Sequence, residues 1–388
     1  MQRINFIEIV AALAFIAFFD SAKADEVVTN NLPSSQTRPF DSKLEPMRLH
    51  TEGNRVLDAS GKPVWLYGVN IASLEWRNDG DHVQESVERA IIDWKVSLIR
   101  LPLAQDRWFG KMMSQTDGGA GYRAIVDNIV STCAAARVYI DLDLHWSDSG
   151  KWISEGGTLG EHNMPDKNSI AFWQDAATRF KNQPNVIFGL YNEPHDVSWN
   201  VWLDGGSVTD NPAWWNPDQT KVVYEAVGLQ KLYDAVRATG ATNVVTVGGL
   251  NWGYDLSGVL QGYAIAGINY TYETHPYANK KDWDKSFGEV SRQYPVYVGE
   301  WGFGGHRTNN LDYAHSLLNY MQKYHLPWTA WDLHVSAGPT LIKNWDYEPT
   351  VFGQIVKDQL AAAAAARSLR TGSVTLHPIT TLENDPLH

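Results

Sequence analysis

Two glutamates in this chain each close an apolar run. Val186-Ile187-Phe188-Gly189-Leu190-Tyr191 is apolar throughout and ends in Asn192-Glu193-Pro194. Such a run reads as a strand buried on both faces, as in an all-parallel sheet. Pro194 cannot donate to a ladder, so it stops the strand and leaves Asn192 and Glu193 at its carboxyl end. The run from Tyr294 to Gly302 repeats the design around Glu300. Two carboxylates at two strand ends suit the cleavage of a glycosidic bond, where one gives a proton and the other attacks.

Other polar residues interrupt apolar runs in the same way. Leu98-Ile99-Arg100-Leu101-Pro102 buries an arginine, whose guanidinium needs an anionic partner. In Ile140-Asp141-Leu142-Asp143-Leu144-His145-Trp146 the two aspartates and the histidine share one face at period two. Asp141 and Asp143 are expected to be paired inside the fold rather than to bind a metal. His275 and Tyr277 follow a further run, and Trp328 to Asp332 forms another.

The elements that must position these residues alternate. Strands are expected at 64–70, 97–103, 138–144, 186–192, 244–248, 268–275, 296–300 and 328–331. Helical patterns fall at 122–136, 170–180, 221–239, 311–324 and 351–367. Eight strands with intervening helices predict an α/β fold, a closed (β/α)8 TIM barrel in a single domain spanning 47–367 with long βα loops. Leu49 to Val64 alternates around Gly53-Asn54 and Ser60-Gly61, which predicts a small hairpin capping one end. Arg3, the apolar stretch Ile9 to Phe19 and Ala22-Lys23-Ala24 have the form of a signal peptide over 1–24. Residues 25–46, with three prolines, read as a linker, and 368–388 as a loosely ordered tail.

Composition narrows the function. A net charge of −12 without a basic cluster argues against nucleic acid and anionic membranes as partners. No phosphate loop or dinucleotide fingerprint follows the first strand, and no cofactor is expected. Cys133, the sole cysteine, sits in a helical pattern and reads as a buried, inert thiol. Seventeen tryptophans and seventeen tyrosines exceed the needs of a core, and flat rings with polar edges stack on sugar faces. Trp76, Trp108, Trp146, Trp199, Trp202, Trp214 and Trp252 follow strands and are expected to supply such rings if they face the groove. Trp146, Trp252 and Trp301 read equally as subsite platforms or as core.

The set Arg100, His145-Trp146, Asn192-Glu193-Pro194, His275, Tyr277, Glu300 and Trp331, in that order, resembles glycoside hydrolase family 5, the cellulase family of retaining (β/α)8 barrels. The resemblance covers roughly residues 47–360. It implies that Glu193 is the general acid/base and Glu300 the nucleophile. It also implies that Asn192 binds the 2-hydroxyl of the sugar, that His145 and His275 line the site, and that Trp331 is a stacking floor. The chemistry fits this order: a nucleophile must stay ionised, and Arg100 and the Tyr277 hydroxyl are the expected suppliers of charge and hydrogen bonds. The acid, Glu193, needs a less stabilised anion. A separation of ~5–5.5 Å between the two carboxyl groups is expected of a retaining enzyme.

With the signal-like amino terminus, the resemblance leads to a secreted (extracellular or periplasmic), monomeric endo-β-1,4-glucanase whose expected partner is a β-glucan, cellulose-like or mixed-linkage, and no metal is expected. The same machinery could serve another β-glycan such as mannan or xyloglucan, or an exo-acting β-glucosidase. A catalytically inactive carbohydrate-binding barrel would have no need of two opposed carboxylates. The segments 147–167 and 195–219 are long and carry no substrate signature, and they are expected to shape the groove. His306 and His334 follow strand ends without an assigned role.

Overall fold

The computed structural model describes residues 48–210, 221–304 and 308–370. The expected signal segment and linker, most of the tail, and Trp214, Trp215 and His306 lie outside the described residues. The strands in chain order are β1 (His50–Glu52), β2 (Arg55–Leu57), β3 (Tyr67–Asn70), β4 (Leu98–Ala104), β5 (Tyr139–Trp146) and β6 (Val186–Gly189). They continue with β7 (Gly205–Asp210), β8 (Val222–Val227), β9 (Val245–Gly248), β10 (Tyr270–Thr274), β11 (Val296–Val298) and β12 (Trp328–Ala330).

Eight of these close a parallel barrel in the order β3-β4-β5-β6-β9-β10-β11-β12, with β12 returning to pair with β3. All eight strands expected from the apolar runs are present, and the fold is a (β/α)8 TIM barrel. The apolar runs form strands because both faces are covered: one by the barrel interior, the other by helices. Val83–Ile92, Ala120–Ala135, Lys167–Phe180, Leu229–Ala238, Thr308–Tyr324 and Val351–Arg370 supply the longer helices. The helix at Lys167 starts where it does because the Asp166 carboxylate accepts from the Asn168 amide while Ser169 answers from within the first turn. Cys133 is fully buried in the helix before β5.

The β1–β2 hairpin closes the amino end of the barrel. Leu49, with Val56 behind it, packs on Leu98, Tyr139, Ile187, Val244 and Tyr297, which sit at or near the starts of five barrel strands. The opposite end is therefore the open one, and Glu193 and Glu300 lie there.

One expected helix is corrected. The pattern over 221–239 was expected to be helical throughout, but Val222–Val227 is a strand and only Leu229–Ala238 is helix. The stretch Val222-Val223-Tyr224-Glu225-Ala226 alternates buried and exposed residues at period two and is rich in β-branched and aromatic residues. It pairs with β7 as an antiparallel hairpin outside the barrel. The long segment after β6 is thus a built structure: the short helix Trp199–Asp204, then the β7–β8 hairpin.

Candidate active site

The floor of the site is assembled around Arg100, which is fully buried on β4. Its Nη1 lies 2.8 Å from Oε1 of Glu300 and 3.1 Å from Oδ1 of Asn70. Nη2 donates to Oδ1 of Asn192 at 2.7 Å and faces Oδ2 of Asp143 at 3.1 Å, while Nε faces Glu273 at 2.9 Å. One planar fork thus ties β3, β4, β5 and β10 to the two segments that carry Asn192 and Glu300. The second oxygen of Glu300 accepts the Tyr277 hydroxyl at 2.7 Å. Both suppliers expected for Glu300 are therefore in contact with it.

Glu193 has a different surrounding. Its Oε1 lies 2.7 Å from Nδ1 of His275, whose Nε2 lies 3.0 Å from Oε1 of Glu273. Burial works against a charge on His275, but Glu300 and the hydrogen bonds to Glu193 and Glu273 outweigh it and raise its pKa to about 10. The ring is therefore a doubly donating imidazolium between two carboxylates. Two glycines make room for this arrangement: a Cβ at Gly253 would lie 2.8 Å from Nδ1 of His275, and one at Gly299 only 1.8 Å from Oε1 of Glu273. Gly253 also has φ +65°, which disfavours any side chain there.

His145 is the counterpart. Burial pulls its pKa down to about 3, against the charge of Glu300, so the ring is neutral. Its Nδ1 donates to Asp143 at 2.7 Å, which leaves Nε2 to accept from Nδ2 of Asn192 at 3.3 Å. Asp143 is paired inside the barrel as expected, with Arg100 and His145, whereas Asp141, equally buried, meets the Thr246 hydroxyl at 3.4 Å and leaves its Oδ1 without a hydrogen-bond partner. Burial pushes both carboxyls well above the usual range, although Arg100 opposes this. Glu273, also buried, is instead lowered because Arg100 and His275 offset the cost of burial.

The aromatic expectations divide. Trp331 is nearly buried and lies parallel to the His145 ring, 5.3 Å between centroids. Trp146 and Trp76 are half-buried neighbours at 6.4 Å, and half-buried Trp252 stacks on His195 at 3.6 Å. His195 in turn reaches the Glu193 carbonyl at 2.7 Å. Trp301 is not a platform: it is fully buried, packed edge-on against Trp328 and Phe352. Successive extended residues face opposite ways, so a Glu300 turned inward puts Trp301 outward into the helical shell. Trp108 and Trp202 are likewise fully buried core. Trp199 is half-buried and stacks on Tyr263.

Residues not singled out from sequence also belong here. Asn70 and Glu273 complete the Arg100 network, and the polar positions of their short strands are the signal that could have found them. Glu161, from the segment after β5, accepts a hydrogen bond from Nδ2 of Asn192. Nothing in the run around it marks it. His334 meets the edges of Trp76 and Trp345 and stands 3.6 Å from Asp81.

Ligand atoms of Glu193, His275 and Glu300 lie within 4.8 Å of one another, a geometry that could cage a cation. Both nitrogens of His275 face carboxylate oxygens as donors, however, so the ring has no lone pair to offer a metal.

Comparison with known proteins agrees with this geometry. The family model for cellulase (glycosyl hydrolase family 5) matches residues 57–336. Endoglucanase MaCel5A of Microbulbifer sp. (strain ALW1) is 25% identical over 293 residues, covering 74% of this chain and 51% of that protein. The chain thus spans about half the length of that relative. An endoglucanase of Paenibacillus polymyxa is 24% identical over 385 residues, covering 82% of this chain and 89% of the relative. Among solved structures, the beta-glucanase SdGluc5_26A of Saccharophagus degradans in complex with cellotetraose superposes with a TM-score of 0.63. It is 24% identical, with 84% of this chain and 96% of that one covered.

Proposed function

The chain belongs to glycosyl hydrolase family 5, and from that premise we propose that it is a secreted, retaining endo-β-1,4-glucanase acting on cellulose-like or mixed-linkage glucan. Glu300 attacks the anomeric carbon while Glu193 protonates the departing oxygen. Glu193, now a base, then takes a proton from water, which hydrolyses the glycosyl-enzyme. Asn192 meets the 2-hydroxyl, a contact that strengthens as oxocarbenium character develops.

The observation that carries this reading is the contrast between the two glutamates. Both oxygens of Glu300 are held, by Arg100 and by Tyr277, which fixes the carboxylate as a nucleophile needs. Glu193 offers an oxygen within 4.8 Å of one from Glu300. Inverting enzymes separate their carboxyls by about 6.5–9.5 Å to admit a water. Cleavage within a chain is supported by the half-buried rings of Trp146, at the carboxyl end of β5, and Trp252, after β9, since β5 and β9 flank β6. Secretion is supported by the signal-like segment 1–24. Among the described residues no helix is long and apolar enough to cross a membrane.

The test is hydrolysis of a panel of soluble β-glucans, mannans and xylans, with viscosity and reducing ends followed together and the first-formed anomer read by NMR. The expected result is a β-anomer from glucan, with viscosity falling well before reducing ends accumulate. An α-anomer would overturn retention. Glucose alone from the first minutes would overturn internal cleavage, and turnover confined to mannan or xylan would overturn the substrate.

A further inference from the structure

One carboxyl in the site has no part in the double displacement. Glu161 is half-buried, and its Oε1 accepts from Nδ2 of Asn192. Its Oε2 has no protein partner among the described residues. Both hydrogens of the Asn192 amide are thereby engaged, while its Oδ1 keeps a second lone pair for a substrate hydroxyl. Oδ1 accepts from Arg100, which fixes the orientation of the group, and the two hydrogens of Nδ2 go to Glu161 and to Nε2 of His145. A hydroxyl that arrives at Asn192 therefore meets Glu161 as well.

The placement of Glu161 is built. The next residue, His162, is buried, with Nδ1 against the Asp210 carboxylate at the end of β7. Its Nε2 reaches the Thr158 carbonyl at 2.8 Å, and its own carbonyl accepts the Tyr191 hydroxyl at 2.7 Å. Two residues on, the Met164 amide and carbonyl both meet the Tyr224 hydroxyl of β8, at 3.0 and 2.7 Å. Behind Glu161, Gly160 exchanges backbone hydrogen bonds with Ser147 at 3.0 and 3.1 Å. Side chains from two insertions and from the end of β6 thus hold one short stretch of chain, and the carboxyl it presents to the site is Glu161.

We propose that Glu161 is a specificity-determining residue that, with Asn192, clamps the 2-hydroxyl of the sugar whose glycosidic bond is broken. This rests on the reading of the site as a glycosidase, and it adds to that reading a residue outside the strand ends. Burial, reinforced by the negative charges of Glu193 and Glu300, pushes the Glu161 carboxyl well above the usual range, against the opposing Asn192 amide and His275. In that neutral form Oε1 accepts from Asn192 while the Oε2 hydroxyl donates to the sugar. A glutamine reproduces both roles, and an alanine neither.

Two cellobiose-derived imino-sugar inhibitors test the clamp, one carrying the hydroxyl at carbon 2 and one lacking it, with binding measured by calorimetry. Glu161→Ala is expected to weaken the first by about tenfold, to leave the second unchanged, and Glu161→Gln to restore the difference. Equal weakening of both inhibitors, or none, overturns the proposal. Should Glu161→Ala not fold, a crystal structure of the wild-type complex decides: a 2-hydroxyl more than about 3.5 Å from both Glu161 oxygens overturns it. A protein that shows the selective binding yet cleaves no β-glucan would sink the endoglucanase reading and leave the clamp standing.

Discussion

The floor and the wall of this site are built from different material. The floor is made of barrel-strand residues, Asn70, Arg100, Asp143 and Glu273, and, just beyond β6 and β11, of Asn192 and Glu300. Its geometry is dictated by a barrel whose strands are fixed to one another by register. The wall is made of the two insertions after β5 and β6, held together by His162, Asp210, Tyr191 and Tyr224. Its geometry depends on side chains meeting across sequence separations of 29 to 60 residues. The barrel can keep its reaction while the wall changes what fits.

The sharpest contrast lies between the two glutamates. With Glu300 as the proposed nucleophile, Glu300→Gln is expected to cost on the order of 10⁴-fold or more in kcat on every substrate. Glu193→Gln is expected to cost roughly 10²–10⁴-fold on a glucan, and far less in the glycosylation of an aryl glycoside whose leaving group departs unaided. Azide should restore turnover to Glu193→Gln through a β-glycosyl azide, because a small anion attacks the intermediate without a general base. Azide rescue of Glu300→Gln with retained stereochemistry would exchange the two roles.

Stability should separate floor from wall. Arg100→Met leaves Glu300, Glu273 and Asp143 buried without their cation and is expected to cost about 3–5 kcal/mol, seen in the denaturation midpoint. Asp210→Asn breaks an equally buried contact with His162, but the insertions can open locally without unfolding the barrel. Its midpoint should move less, while proteolysis between 147 and 228 quickens. A larger global loss from Asp210→Asn than from Arg100→Met would mean that the wall is part of the core.

This difference in material is also why one part was legible in sequence and the other was not. A buried polar residue in an apolar run betrays itself, as Arg100 does in Leu98-Ile99-Arg100-Leu101. Proline and glycine then mark where the strand ends. Val222 to Val227 merges with the helix that follows it because a short amphipathic strand before an amphipathic helix has too few residues to separate period two from 3.6. Trp301 reads two ways in the sequence because aromatic content alone does not tell inward from outward, although its neighbour Glu300 does. Glu161 sits between Gly160 and His162 in a loop without periodicity, so only its three-dimensional neighbours reveal it.

The last contrast is a pair of opposed pH limits, set by two histidines that face the same two glutamates. His275 holds its proton in the folded chain up to about pH 10, against an ordinary value of 6.5. Its stabilisation is therefore complete below pH 6.5 and is lost as pH rises toward 10. His145 is held neutral down to about 3 from the same ordinary value. The stability tied to its neutral form is present above pH 6.5 and drains away as pH falls toward 3. One proton corresponds to a slope of about 1.4 kcal/mol per pH unit within either window. Thermal unfolding followed from pH 3 to 10 is expected to show a flatter alkaline limb for His275→Gln and a flatter acid limb for His145→Asn. The two limbs are separable because the histidines bond to different partners, Glu193 and Glu273 for His275, Asp143 and Asn192 for His145. If either substitution flattened both limbs, the pH range of the fold would be set by the shared field of Glu193 and Glu300 rather than by each ring's own contacts.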